Sequence, residues 1–203
     1  MKFRYREPHE MKDSGVEWLG MIPKEWEVSK IKYHTSSLNG CAFKSEDYIE
    51  SDNSIPILRI GDIKDSIDFE NIKKVAEKLE YEPYIVKLND ILIALTGATI
   101  GKSSLYKTEK KAYLNQRVGV FRAISINNKY LYYKISSNMM KEFIKLECSG
   151  SAQENIGNSD ISNFSIGKPN YNEQEKIATF LDKKTAEFDN IIAKKQAFID
   201  KLT

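Results

Sequence analysis

The C-terminal segment constrains the fold most, because residues 170–203 contain neither glycine nor proline. Asn172, followed three residues later by Glu175, resembles a helix N-cap with its capping partner and predicts one long helix from about residue 171. Its apolar residues predict a stripe along one side: Ile177, Leu181, Phe188, Ile191, Ile192, Phe198, Ile199 and Leu202. About thirty helical residues would span ~45 Å, more than the width of such a domain. We therefore expect the stripe to meet a helix outside the domain; folding back on its own core is the alternative.

The preceding sequence predicts a mixed domain. Short apolar runs bounded by turn residues, at 55–60, 90–95 and 116–123, are typical of strands. In residues 128–146 the apolar side chains recur at three- and four-residue steps instead, which predicts one helix or two short consecutive ones. The predicted fold class is therefore mixed α/β, with a globular domain at 1–170 and a coiled-coil-type helical arm at 171–203.

Two tryptophans stand out in the polar N-terminal segment. Trp18 and Trp26 would be costly to leave in water, so we expect them to clamp residues 1–26 onto the domain. Stacking on nucleic-acid bases is the alternative role. No apolar run approaches the ~18 residues that span a bilayer, and no signal core follows Met1, so the expected location is cytoplasmic. Two distant cysteines, Cys41 and Cys148, fit a reducing compartment better than a disulfide framework.

The charge is unevenly distributed along the chain. The net charge is only +2, from 31 basic and 29 acidic residues. However, residues 44–90 hold 7 basic and 12 acidic side chains, whereas residues 101–145 hold 10 and 2. The basic region also contains seven aromatic residues, and interleaved cations and aromatics suit a nucleic-acid backbone with bases beside it. A solvated surface with aromatic residues in the core is the alternative.

Catalytic patterns are weak or incomplete. The glycine turn at 97–103 resembles a phosphate-binding P-loop, but it is one residue too short. Asp90 with Glu109-Lys110-Lys111 imitates a nuclease motif that chance alone explains in so charged a chain. The five prolines are never adjacent, which excludes the Asn/Asp-Pro-Pro-aromatic loop that grips a flipped base. The sequence therefore predicts a binding protein without a catalytic site.

Three segments, in the same order, resemble the specificity subunit of type I restriction-modification enzymes. The first is Met11-Lys-Asp-Ser-Gly15-Val-Glu-Trp18-Leu-Gly20 with Ile22-Pro23-Lys-Glu-Trp26-Glu-Val28. The second is Asn89-Asp90-Ile-Leu-Ile-Ala-Leu-Thr96-Gly97-Ala-Thr-Ile-Gly101-Lys102. The third is Gly150-Ser-Ala-Gln153-Glu-Asn155-Ile156, a loop with Pro169, and Glu173-Gln174-Glu175-Lys176-Ile177-Ala-Thr-Phe180-Leu181-Asp182.

The resemblance implies a target-recognition domain for double-stranded DNA, followed by a conserved spacer helix that docks modification (methyltransferase) subunits. A restriction subunit would join through the complex. The chain itself would bind no cofactor, and S-adenosylmethionine, ATP and Mg²⁺ would belong to the partner subunits. Family members usually carry two such halves, so this chain is expected to be either a half-subunit or the first half of a longer protein. The absence of a C-cap glycine before Thr203 leans toward the longer protein.

The predicted DNA-binding residues fall into two groups. Electrostatic contact is expected from Lys102, Lys107, Lys110, Lys111, Arg117 and Arg122. Base contact is expected from Arg59, Thr96, Asn115, Gln116, Gln153 and Asn155, with Thr99 beside them for a phosphate or a base. Turn capping and loop hydrogen bonds are the alternative roles of the polar residues.

Assembly is expected through the helical stripe. Leu181, Phe188, Ile191, Ile192, Phe198, Ile199 and Leu202 should pair with the helix of a second copy or of a second recognition half. Antiparallel pairing would separate the two recognition domains and make the DNA target bipartite and inverted. Lys184 and Lys195 interrupt the seam and should weaken it.

Overall fold

The computed structural model describes residues 4–51, 53–64, 66–149 and 155–202. Its eleven strands are β1 (Met11–Asp13), β2 (Met21–Pro23), β3 (Glu27–Lys30), β4 (Thr35–Asn39), β5 (Ser54–Leu58), β6 (Lys74–Ala76), β7 (Ile91–Ala94), β8 (Ser103–Leu105), β9 (Tyr113–Leu114), β10 (Val118–Ala123) and β11 (Ser165–Lys168). Its α-helices are α1 (Asn128–Ile135), α2 (Asn138–Cys148), α3 (Asn158–Ser162) and α4 (Tyr171–Ile199). The mixed α/β class is confirmed.

A four-stranded antiparallel sheet with the order β4-β10-β7-β8 divides the core. Every residue of β7 is buried, and successive side chains point to opposite faces. Ile91 and Ile93 enter one apolar cluster, and Leu92 enters the other. The three runs predicted as strands therefore supply β5, β7 and β10.

Helices α1 and α2 cover one face of this sheet. The side chain of Asn127 accepts the backbone N–H of Tyr130, and the side chain of Ser137 accepts that of Met140. Each polar residue therefore caps a separate helix, which confirms two consecutive helices rather than one. Leu131 of α1 and Ile144 of α2 lie in the same buried cluster.

The N-terminal segment is held onto the domain by pairing and stacking. Strands β1 and β2 form a hairpin, and β3 pairs with β11. The Trp18 ring stacks on Phe164 with 5.4 Å between centroids, and its Nε1–H donates to the carbonyl of Ser165 at 3.1 Å. The Trp26 ring packs so closely on Gly167 that a Cβ there would lie 3.0 Å from it. The predicted tryptophan clamp is confirmed.

Helix α4 begins two residues earlier than its predicted cap implies. The side chain of Asn170 accepts the backbone N–H of Glu173 at 3.0 Å, so Asn170 is the N-cap and the expectation for Asn172 is wrong. Asn172 lies inside the first turn, because the helix begins directly after the Asn170 cap, which accepts one of the N–H groups that the first turn leaves unpaired. The helix ends at Ile199, and residues 201–202 form a turn rather than the predicted continuation.

The two halves of α4 have different surroundings. Gln174 and Ala178 are buried, and Asp182 accepts bonds from Lys129 and Tyr133 of α1 at 2.6 and 2.8 Å. After Asp182 nearly all residues are exposed, whereas Leu181 is half-buried. Of the predicted interface residues, Phe188, Ile191, Ile192, Phe198, Ile199 and Leu202 are all about half or more exposed. Ile177, at the start of the stripe, packs against the domain's own core, whereas the part of the stripe after Leu181 does not, and the predicted coiled-coil pairing stays a prediction. In the described part of the chain, no helix is long and apolar enough to cross a membrane.

Candidate nucleic-acid interface

Strands β5 and β9 run parallel and end at the same edge of a three-stranded sheet. Leu58, the last residue of β5, pairs with Leu114, the last residue of β9. The N–H of Asn115 then donates to the carbonyl of Leu58 at 3.0 Å. Because parallel strands deliver their following residues to one edge, Arg59 and Asn115 become neighbours although they are distant in sequence.

A third segment closes this edge. The N–H of Cys41 donates to the carbonyl of Leu114, and the N–H of Gln116 donates to the carbonyl of Cys41, both at 2.8 Å. A Cβ on the preceding Gly40 would lie 2.1 Å from the carbonyl oxygen of Asn115. Only glycine allows the two backbones to approach this closely. Burial and the nearby Glu80 raise the pKa of the Cys41 thiol, which keeps it protonated near neutral pH.

The edge forms a cleft of about 500 Å³. It is lined by Phe43, Tyr48, Arg59, Ile60, Gly61, Asn115, Gln116 and Arg117. The structure therefore brings together four residues that the sequence predicted for DNA contact. Two arginines and two amides supply hydrogen-bonding groups for base edges or phosphates, and the aromatic rings supply apolar surface.

Arg59 is held in place at the cleft by Asp62. One carboxylate oxygen of Asp62 accepts the backbone N–H of Arg59 at 3.0 Å and the guanidinium Nε–H at 3.4 Å. The Asp62 side chain is only 20% exposed, whereas that of Arg59 is 40% exposed. The arginine is thus anchored at its backbone N–H and at Nε, and its side chain lines the cleft.

A tight turn presents the other polar residues of the cleft. The side-chain oxygen of Asn115 accepts the N–H of Arg117 at 3.2 Å, and the Asn115 carbonyl accepts the N–H of Val118 at 2.9 Å. These bonds reverse the chain between β9 and β10. Gln116 and Arg117, at the outside of the turn, are exposed. The turn-capping alternative therefore applies to Asn115, whose oxygen bonds within its own turn.

Thr96 and Asn155 lie beside the cleft. The N–H of Leu95 donates to the carbonyl of Arg117 at 2.9 Å, and Thr96 forms an antiparallel bridge with Asn155. Gly97 approaches Ile60 of the cleft, since a Cβ there would lie 3.9 Å from the Ile60 side chain. The glycine turn therefore adjoins the cleft at its first residues.

The far end of the glycine turn points elsewhere. The carbonyl of Thr99 accepts the N–H of Lys102 at 2.9 Å. A Cβ on Gly101 would lie 3.1 Å from Ile144 of α2. This end of the turn packs on the helix layer. Thr99 and Lys102 do not line the cleft, and their predicted DNA contacts stay predictions.

Three predicted lysines belong to the loop between β8 and β9. Lys107 lines a separate cavity of about 180 Å³, and Lys110 lies 4.8 Å from the centre of the Phe69 ring. Lys111 donates to Glu77 and Glu82, and these hydrogen bonds raise the pKa of its ammonium group. Part of the basic region is therefore neutralised by the acidic region, and the loop forms a group distinct from the cleft.

Arg122 differs from the contact residue that we expected. Its Nε and Nη2 donate to the two carboxylate oxygens of Asp90 at 2.7 and 2.8 Å, and Nη2 also donates to the carbonyl of Ile85 at 3.0 Å. These bonds raise the pKa of the guanidinium. A buried carboxylate requires a charged partner, so Arg122 serves the fold and we remove it from the proposed DNA surface.

Gln153 lies outside the described residues. Five residues of the cleft region are not among those predicted from the sequence: Phe43, Tyr48, Ile60, Gly61 and Asp62. Tyr48 lies in the acidic region and Phe43 immediately before it, where a search guided by positive charge does not look. Among the residues that the structure describes, no three His, Cys, Asp or Glu side chains form a group that could hold a metal ion.

Comparison with known proteins gives the chain its relatives. Residues 23–201 match the type I restriction modification DNA specificity domain. The chain is 29% identical over 183 residues to the MjaVIII specificity subunit of Methanocaldococcus jannaschii, covering 86% of this chain and 42% of that protein. It is 24% identical over 182 residues to the EcoKI specificity subunit of Escherichia coli, covering 86% and 39%. The chain thus spans about two fifths of the length of these curated relatives.

Solved structures share the fold. A chain from a study of complex assembly in the type I R-M system aligns with a TM-score of 0.69 at 17% identity, over 96% of this chain and 47% of that one. The HsdS subunit from Thermoanaerobacter tengcongensis aligns with a TM-score of 0.64 at 17% identity, over 88% and 41%. The family match extends over both the cleft and the long helix. The chain therefore belongs to the family of type I restriction-modification DNA specificity domains.

Proposed function

We propose that this chain recognises one part of a specific double-stranded DNA sequence for a type I restriction-modification enzyme. The observation that carries the proposal is the cleft in which Arg59, Asn115, Gln116 and Arg117 converge from separate segments. Arginines and amides are the side chains that best distinguish guanine and adenine edges, and the family match supplies the biological setting.

Quantitative DNA binding tests this proposal. A duplex sequence should be selected from a random library with the intact chain, and its affinity compared with that of scrambled duplexes across a salt series. We expect the selected duplex to bind at least tenfold more tightly, with affinity falling steeply as salt rises. Replacing Arg59 and Gln116 together by Ala should remove most of this preference. Failure to bind any duplex at low salt would contradict the proposal and favour a helical interaction scaffold.

A matched control distinguishes the loss of a DNA contact in the cleft from the loss of one positive charge elsewhere on the surface. Lys145→Ala removes one positive charge from α2, where Lys145 pairs with Glu142 at 2.7 Å. This variant should keep the selected preference, because Lys145 does not line the cleft. Replacing Lys110 and Lys111 by Ala should instead weaken all duplexes alike and flatten the salt slope.

Catalysis is assigned to partners in this proposal. The chain would direct methyltransferase subunits, and the restriction subunit through the complex, while S-adenosylmethionine, ATP and Mg²⁺ bind those partners. Titration calorimetry of the pure chain with S-adenosylmethionine should show no binding. A micromolar signal, or cleavage of DNA by the pure chain with Mg²⁺, would overturn this assignment.

The second half of α4 is proposed to complete the assembly. Phe188, Ile192 and Phe198 are 63%, 65% and 64% exposed, a costly state for large apolar side chains. An antiparallel helix from a second copy, or from a second recognition half, would cover them and place one recognition domain at each end. The DNA target would then be bipartite.

Paired charge substitutions test this interface. Ile191→Glu with Phe198→Glu should shift the light-scattering mass from dimer to monomer, because each glutamate would be buried at the seam. Asn190→Glu with Ala197→Glu has the same spacing on the opposite face of the helix and should leave the dimer intact. A strict monomer at high concentration, or a dimer indifferent to both pairs, would contradict the model.

A further inference from the structure

We propose that Arg59 reads the major-groove edge of one guanine and that Asp62 is the residue that positions it. This inference rests on the proposed function, because it assigns a base to one side chain of the same cleft. Three observations carry it: the rigid backbone of Arg59, the carboxylate that holds its Nε, and the position of its side chain along the cleft.

The backbone of Arg59 is held in place by the sheet. Leu58 before it is fully buried and is paired with Leu114, and Arg59 itself has extended backbone angles of −110° and 170°. The carbonyl of Arg59 accepts the N–H of Asp62 at 2.9 Å, while the Asp62 carboxylate accepts the N–H of Arg59 at 3.0 Å. This reciprocal pair makes the turn rigid and keeps Asp62 beside the arginine.

The contact with Asp62 determines which donors remain. A guanidinium has five N–H donors in a planar fork, and Asp62 accepts the one on Nε. The two terminal nitrogens keep their outer edge for a ligand. In the described part of the chain, Arg59 makes no other side-chain hydrogen bond.

Guanine is the base that fits this pair of donors. Its major-groove edge offers two acceptors, O6 and N7, at the spacing that an arginine fork bridges. Adenine and cytosine place a donor amino group in that groove, and thymine places a methyl group beside a single acceptor. A fork with donors only therefore prefers guanine.

The same geometry disfavours a phosphate as the ligand of Arg59. The Asp62 carboxylate lies 3.4 Å from Nε, so its negative charge would repel a phosphate placed on the other side of the guanidinium. A neutral base edge does not meet this repulsion. Arg117 is exposed and has no such acidic neighbour in its turn, which suits it to phosphate contact.

A nucleotide-analogue experiment tests the assignment with the full chain. Each guanine of the selected duplex is replaced in turn by 7-deazaguanine, which lacks the N7 acceptor, and binding is measured for the wild type, Arg59→Lys and Asp62→Asn. At one guanine the wild type should lose about 3- to 10-fold in affinity. Arg59→Lys, which keeps the charge but loses the fork, should be insensitive at that position alone. Its preference for guanine over other bases there should fall from the ~5- to 150-fold expected of a bidentate pair.

Asp62→Asn tests the positioning role. The asparagine oxygen can still accept the backbone N–H of Arg59, but the neutral amide holds the guanidinium more weakly. We expect the guanine preference at the same position to drop several-fold, while binding to scrambled duplexes stays equal or increases. Asp68→Asn is the matched control, because Asp68 also caps a turn by accepting the N–H of Glu70 at 3.1 Å, and it removes the same charge.

The outcomes separate this inference from the proposed function. A wild-type chain without sequence preference would contradict the proposed function itself. A wild type with clear preference, in which Arg59→Lys responds to 7-deazaguanine like the wild type at every position, would overturn the guanine assignment only. Uniform weakening of all duplexes by Asp62→Asn would show that Asp62 merely supports the fold, and thermal melting of each variant identifies misfolding.

Discussion

Two arginine–aspartate pairs on different sheets show how the same chemistry takes different roles. On the central sheet, Asp90 is almost fully buried and binds Arg122 through both of its oxygens. At the β5–β9 edge, Asp62 is partly exposed and contacts the guanidinium of Arg59 through Nε alone, besides accepting its backbone N–H. The first pair uses inward bonds to join β10 to the segment before β7, whereas the second leaves donors facing the cleft.

The difference between the pairs arises from the burial of the carboxylate. A buried carboxylate must be compensated by several hydrogen bonds, so it occupies its arginine. A partly exposed carboxylate is partly solvated and can orient an arginine without occupying all its donors. Arg4 and Glu10 form a third pair, which lies on the surface and has two contacts of 2.7 Å. Three experiments compare the contributions of the three pairs.

The largest effect is expected at Arg122. Arg122→Ala would leave the Asp90 carboxylate buried without its cation, at a cost of about 3–5 kcal/mol in the free energy of unfolding. Chemical denaturation of the variant and the wild type measures this cost. The double variant with Asp90→Asn should be less destabilised than Arg122→Ala alone, because it removes the stranded charge. A loss below about 1 kcal/mol would contradict the structural role.

A small effect on stability is expected at Arg59. The side chains of Arg59 and Asp62 are 40% and 20% exposed, and pairs near the surface contribute little to stability. Arg59→Ala should therefore change the free energy of unfolding by no more than about 1 kcal/mol. The same denaturation assay measures it. Affinity for the selected duplex should fall in this variant despite the preserved stability. A destabilisation comparable with that of Arg122→Ala would remove the distinction between the two pairs.

The smallest effect is expected at the surface pair, and it depends on pH. The hydrogen bond from Arg4, followed by the backbone N–H of Glu7, lowers the pKa of the Glu10 carboxyl to about 2. Because the folded value lies below the unfolded one, the pair favours folding above about pH 4.5 and loses this contribution as the pH falls toward 2. Titration by NMR should show Glu10 near 2 in the wild type and closer to its usual value in Arg4→Gln. An unchanged titration in that variant would show that the surface pair does not form in solution.

Local pattern was sufficient for much of the fold. The apolar run at 90–95 and the change of period after Asn128 predicted a strand and helices, because apolar runs and helical periodicity are properties of neighbouring residues. The position of the cap of α4 was missed by two residues. Asn170 and Asn172 offer the same side chain, and the helix begins at the residue whose oxygen meets the N–H of Glu173.

The candidate site could be predicted only in part. Arg59, Asn115 and Gln116 are predicted because they lie next to turns or strand ends, and Arg117 because of its charge. The parallel pairing of β5 with β9 brings the four together. Arg122 was chosen for its charge, and its partner Asp90 is 32 residues away in the sequence. Phe43 and Tyr48 reach the cleft from the start of the acidic region and the residue before it, so no local pattern marked them.

The sequence by itself determined the mixed class of the fold, the long helix after residue 170 and its apolar stripe, and the family, through three motifs in order. These properties depend on residues that are close together or on the order of segments. Only the tertiary structure decided which cations face a ligand and which serve the fold, because this depends on carboxylates brought from distant segments. It also decided where the polar cleft forms, since Gly40 and the parallel edge must meet before Arg59 and Asn115 become neighbours.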